Sequence, residues 1–144
     1  MVRDESRLHY DAMARTHRDV EAYLQALGKT WDKLDDNTYV VMGAQSDTPI
    51  AVRIDERLLV ARVLIGDAPT EDLATQVAVF KLLLQYNASE LVYASYGLED
   101  NRIVLSAALE LENLDLNELE SVLNDIELAI ARHVSNLAQR FHSS

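Results

Sequence analysis

The sequence predicts an α+β fold: an antiparallel sheet of about five strands with helices, in the order α-β-β-β-α-β-β-α. Three observations predict it. Two blocks rich in β-branched and aromatic residues are broken by short turn signals, which favours antiparallel hairpins over parallel crossovers. Three segments carry apolar residues at helical spacing, one before, one between and one after these blocks. The whole chain is 144 residues long with 49% apolar and 26% charged residues, the size and balance of one globular domain.

The first helix is read from Val20, Tyr23, Leu24 and Leu27, which follow i, i+3, i+4, i+7 spacing, with Gly28 placed as a left-handed C-cap. Residues 1–15 are polar and lack such a stripe, so a mobile or loosely helical extension is expected there. Asp35-Asp36-Asn37 marks a turn, and Thr38–Met42 reads as the first strand. Ile50–Ile54 alternates as a second strand, and Leu58–Ile65 forms a third, giving a three-stranded meander.

Gly66-Asp67-Ala68-Pro69 ends the meander, and Thr70 is placed as the N-cap of the next helix, ahead of Glu71 and Asp72. Leu73, Val77, Phe80, Leu83 and Leu84 give that helix its apolar side. Strands are expected at Leu91–Tyr96 and Ile103–Leu111, joined by a loop over Gly97–Asn101. Asp115 and Glu118 resemble a capping box at the head of a long closing helix. Its stripe runs from Leu119 through Val122, Leu123, Ile126, Ile130, His133, Val134 and Leu137 to Phe141.

Composition narrows function. The chain has no cysteine, which excludes disulfides, thiolate metal sites and cysteine nucleophiles. Thirteen basic residues against twenty-four acidic ones give a net charge of −11, and no window clusters the ten arginines and three lysines. A phosphate backbone is repelled by such a surface, so direct nucleic-acid binding is not expected. No apolar run is long enough to span a membrane, and the charged start Met1–Glu5 does not read as a signal peptide, so a cytoplasmic protein is expected.

Chemistry is hard to find. His9 and His17 have no carboxylate spaced to complete a metal triad, His133 falls on an apolar stripe as a packed histidine would, and His142 sits at the end. Glu110 and Glu112 share one strand face, yet a solvated acidic face explains them as well as acid–base work does. There is no phosphate loop, nucleophile elbow or zinc-protease signature. No cofactor, metal or catalytic residue is assigned, and the expected protein is not an enzyme.

Partner surface remains. The third strand, Leu58–Ile65, is apolar on both faces apart from Arg62, so its second face is covered either by a helix or by another chain. Tyr93 and Tyr96 were they on one regular strand would point to opposite faces, leaving one to pack outside the sheet.

The stretch from Phe80 to Leu137 resembles the small acidic chaperones of type III secretion and the related YbjN-like proteins. It carries a helix ending in Leu82-Leu83-Leu84-Gln85-Tyr86-Asn87, a strand pair, the connector Glu112–Leu114 and a long closing helix. The resemblance implies a homodimer that holds a segment of another protein. It places the dimer interface on Val77, Phe80, Leu84, Tyr93 and Tyr96. It places the partner segment over Val20, Tyr23, Leu24 and Leu27 of the first helix and Leu59, Ala61 and Val63 of the meander. The alternative it implies is a YbjN-like regulatory or stress-response adaptor that binds a folded partner, such as a nucleic-acid-binding protein. The polar N-terminal extension departs from the usual start of a secretion chaperone.

Overall fold

A computed structural model describes residues 15–43 and 48–142, without the side chains of 134, 135 and 138–142. The expectations for residues 1–14, including His9, and for the side chains of Val134, Phe141 and His142 lie outside the described residues. Helix α1 (His17–Ala26) starts at Thr16, whose hydroxyl accepts from the Asp19 amide while the Asp19 carboxylate accepts from the Thr16 amide (2.8 Å). This reciprocal cap satisfies two of the amides a helix start leaves unpaired. Gly28 ends it at φ +69, where the Lys29 amide reaches the Leu24 carbonyl (3.1 Å) and the Gly28 amide that of Gln25 (3.0 Å). Only a residue free to enter the left-handed region closes a helix this way at little cost.

Six strands follow, one more than expected. They are β1 (Thr30–Asp35), β2 (Thr38–Met42), β3 (Pro49–Asp55), β4 (Leu58–Asp67), β5 (Ser95–Glu99) and β6 (Arg102–Glu110), all antiparallel in the order β1-β2-β3-β4-β6-β5. The additional strand, β1, is an edge strand that leaves most of its side chains in solvent, so it has no apolar alternation to announce it. The expected meander of three strands is therefore a meander of four.

Two further boundaries move. The strand expected at Leu91–Tyr96 starts only at Ser95 and runs through Gly97 to Glu99, and the turn to β6 is reduced to Asp100 and Asn101, at φ +51 and +62. Asn and Asp tolerate that conformation, which matches the twist of a tight hairpin. Helix α2 (Leu73–Ser89) is capped by Asp72 rather than Thr70: the Asp72 carboxylate accepts from the Thr75 amide (2.6 Å). That bond holds the Asp72 carboxyl below its ordinary pKa. Helix α3 (Leu116–His142) closes the chain, with the Glu118 amide donating to Asp115 Oδ1 (2.7 Å).

The helices share one face of the sheet. Tyr39, Val52, Ala61 and Ala107 form one cross-strand row on that face, and all four are buried. Val20 and Leu24 of α1 and Leu119, Val122, Leu123, Ile126, Ile130 and Leu137 of α3 complete the same core. The opposite face carries the row Val40, Ala51, Arg62, Ser106, Ser95. On it the outward side chains of β4 stay open: Leu58 is 41% exposed and Leu64 54%, while Val60 is half-buried.

Candidate functional site

Helix α2 has two apolar sides. Val79 and Leu83 turn into the core, as i, i+4 neighbours do. Leu73, Val77, Phe80 and Leu84, spaced 4, 3 and 4 apart, form a second stripe roughly a quarter-turn away. Leu73, Val77 and Leu84 are 74%, 55% and 67% exposed, and Phe80 is half-buried. Beside this stripe runs β5, and between the two lies a groove of about 300 Å³ lined by Phe80, Leu83, Leu84, Asn87, Tyr96, Gly97 and Leu98. Exposed apolar residues in a row beside an apolar groove mark an interaction surface rather than scattered surface leucines.

Three polar devices hold this surface in shape. Asn87 donates from Nδ2 to the Tyr96 carbonyl (3.1 Å) and accepts at Oδ1 from the Tyr96 amide (2.7 Å). Asp125 on α3 accepts from the amides of Val92 (3.2 Å), Tyr93 (2.8 Å) and Ala94 (2.9 Å), pinning the segment that leads into β5. Behind the groove, Tyr96 Oη lies 2.9 Å from His133 Nδ1, and the Tyr86 ring stacks on the His133 imidazole at 3.8 Å and 6°. Burial pushes the Tyr96 hydroxyl well above its ordinary pKa and pulls His133 below its own.

The two sheet edges differ. On β5 the Asn87 side chain occupies both polar groups of Tyr96, and Asp125 takes the amide of Ala94 just before the strand. Among the described residues no strand pairs with the outer side of β1. Its Trp31 is half-buried edge-to-face on Tyr39 (5.4 Å between ring centres, 79°), and its Leu34 is 70% exposed.

The expected interface residues come partly together. Phe80, Leu84 and Tyr96 line the groove and Val77 continues the α2 stripe, but Tyr96 is its buried floor, 6% exposed. Tyr93 is not on the strand; it precedes β5 and is 53% exposed. The expected partner-segment residues divide more sharply. Val20, Leu24, Leu59, Ala61 and Val63 are at most 2% exposed, so in this state they clamp α1 to the sheet and present no surface. Tyr23 and Leu27 are half-buried, with Tyr23 Oη donating to the Leu114 carbonyl (3.1 Å). An amphipathic stripe looks the same whether it meets a partner or its own sheet. The expected surface leaves out Leu73, Leu98, Asn87 and the β1 edge; Leu73 carries a signal, since it stands at helical spacing from Val77, whereas Leu98 falls in an expected loop and β1 has no periodic signal.

Among the described residues no group of three histidine or acidic side chains is placed to hold a metal. No described helix is long and apolar enough to cross a membrane.

The CesT_Tir_1 family model matches residues 13–143, nearly the whole chain. The protein belongs to this type III secretion chaperone-like family. Solved structures share the chaperone-like fold at low identity. A chain of the heterodimeric ExoU–SpcU complex from the type III secretion system of Pseudomonas aeruginosa is 19% identical with a TM-score of 0.65, over 87% of this chain and 99% of that one. YbjN of E. coli is 12% identical with a TM-score of 0.60, over 89% and 93%. A chain of the HopA1–SchA chaperone–effector complex is 14% identical with a TM-score of 0.53, over 99% and 100%. No curated protein sequence matches. The chaperone-like fold thus matches the expected α+β class, with six strands for the expected five.

Proposed function

We propose that this CesT_Tir_1 protein is a non-enzymatic, cytoplasmic chaperone that works as a homodimer and holds an extended segment of a partner protein. The observation that carries the reading is the contrast between the two sheet edges. β5 is stopped at Tyr96 by the Asn87 side chain, whereas among the described residues no strand pairs with the outer side of β1, which carries Trp31 and the exposed Leu34. An added strand gains main-chain hydrogen bonds at such an edge, and alternate side chains find apolar contacts there. The likeness to a chain of a chaperone–effector complex supports the binding of another protein. The α2 stripe and its groove, on Val77, Phe80 and Leu84 with Tyr96 beneath, then serve the homodimer.

A second reading is favoured by the fold likeness to YbjN and by the net charge of −11: an adaptor that docks a folded, basic partner, such as a nucleic-acid-binding protein. Affinity capture at low and high salt, with amide exchange on the captured complex, separates the two. A salt-resistant partner that protects residues 30–35 supports the segment-binding chaperone. A folded partner lost as salt rises, with residues 30–35 unprotected, supports the adaptor and overturns the first reading.

A further inference from the structure

The groove is backed by a titratable group. His133, on the buried side of α3, is 4% exposed and touches both elements that form the groove. Its ring lies against Tyr86 of α2, and its Nδ1 meets the hydroxyl of Tyr96, the residue that floors the groove from β5. The hydroxyl, the stack and, three residues on, the Asn136 carboxamide donating to Tyr86 Oη (3.4 Å) tie α3 to the α2–β5 pair at this point.

We infer that His133 is a proton-operated latch on the α2–β5 face: neutral imidazole holds the face to α3, and imidazolium loosens it. The inference deepens the proposed role of that face, since it names how the face is regulated. Imidazolium carries two N–H donors and no acceptor. In the neutral tautomer whose Nδ1 is bare, that nitrogen accepts from the Tyr96 O–H; in the cation it can only donate, and the tyrosine's own O–H must turn away from His133 inside a buried cluster. A buried donor left without a partner is costly, and so is a buried charge.

The charged and titratable neighbours act in both directions. Glu90, just past α2, and Asp125 on α3 favour the cation, while Arg132 beside it on α3 opposes it; Tyr86 faces it with its ring and Tyr96 with its hydroxyl. Glu90, Asp125 and Arg132 also line a small cavity of about 30 Å³ that reaches His133, room for about one water and a route for a proton. Burial outweighs the two carboxylates, so the folded protein binds this proton less readily than the unfolded chain. Its contribution to stability is therefore complete at neutral pH and declines as pH falls below the ordinary histidine value of 6.5.

The test compares the full chain with His133→Asn, whose carboxamide can replace Nδ1 as Tyr96's partner without titrating. Urea unfolding and amide exchange at Tyr96 and Leu98 are measured at pH 7.5 and 5.5. The expected result is a several-fold larger drop in the wild-type folding constant than in the variant's, with protection factors in β5, which allow for the intrinsic pH dependence of exchange, falling in the wild type only. Equal pH dependence in the two proteins overturns the latch. If the variant does not fold, the imidazole resonance of wild-type His133 decides: titration below 6.5 in the folded protein supports the latch, and titration at or above it overturns it. Light scattering at pH 7.5 tests the homodimer separately. A monomer there removes the dimer while the unfolding data still decide the latch.

Discussion

Asn87 pairs with Tyr96 as a neighbouring strand would, giving one donor and one acceptor from a single carboxamide across 3.1 and 2.7 Å. An open sheet edge invites pairing with any other edge, and folds blunt such edges with side chains. Here the end of α2 supplies the stop at Tyr96.

Asn87→Leu keeps the side chain's branched shape and removes both bonds. Leaving two partly buried backbone groups unpaired costs about 1–3 kcal/mol. Urea unfolding should show that loss, and the Tyr96 amide should exchange faster by a similar factor. A variant with wild-type stability and unchanged exchange at Tyr96 would show that the carboxamide does not guard the edge.

Asp125 anchors the 92–94 segment from 31–33 residues away in sequence, taking three successive amides on one carboxylate. Asp125→Asn retains an acceptor oxygen but loses the charge and a second oxygen, whereas Asp125→Ala loses all three bonds. Bonds to a charged acceptor are each worth about 1.5–3 kcal/mol, less where solvent can replace them. The expected order of stability is wild type, Asn, then Ala, with exchange at Val92, Tyr93 and Ala94 rising in the same order. Equal stability of all three proteins would refute the anchor.

These two contacts also explain where the sequence could be read and where it could not. The long helix and its core side were legible because Leu119, Val122, Leu123, Ile126 and Ile130 repeat at helical spacing and all five are buried. Leu91-Val92-Tyr93-Ala94 has strand composition, yet the Leu91 amide folds back onto the Tyr86 carbonyl (3.1 Å) and the next three amides answer to Asp125, a tertiary partner no local pattern reveals. β1 escaped notice because five of its six residues are exposed. On α2, Leu83 and Leu84 read as one apolar side, and only packing separates the core-facing residue from the outward one. The same ambiguity put Val20, Leu24, Leu59, Ala61 and Val63 on an expected partner surface when the fold uses them as core.

Gly43, just past β2, has no room for a side chain. A Cβ there would stand 2.6 Å from Glu127 Oε1, the oxygen that Lys29 holds at 3.1 Å in a largely buried ion pair. Gly43→Ala must therefore push Glu127 away from Lys29 or shift the strand end, and overpacking of this kind costs about 1–3 kcal/mol. Calorimetry should show a lower Tm, and adding Glu127→Ala should restore less than additive damage because the clash is gone. Additive losses in the double variant would mean that Gly43 is needed for some reason other than Glu127.

The groove yields the sharpest contrast, because two adjacent leucines of α2 face different surroundings. Leu84 is 67% exposed on the outward stripe, and Leu83 is 5% exposed in the core. Leu84→Glu places a carboxylate where a second copy's apolar stripe would sit, at a desolvation cost of about 3 kcal/mol, or roughly a hundredfold in dimer Kd. The monomer should keep its unfolding midpoint to within about 0.5 kcal/mol, as exposed substitutions do. Leu83→Glu should instead unfold the protein, since it buries the same charge with no partner. Association through this stripe should also resist added salt, because it rests on apolar burial and not on ion pairs. Sedimentation of wild type and Leu84→Glu at two salt concentrations checks both points, and an unchanged oligomeric state in the Leu84→Glu protein would move the dimer contact off α2.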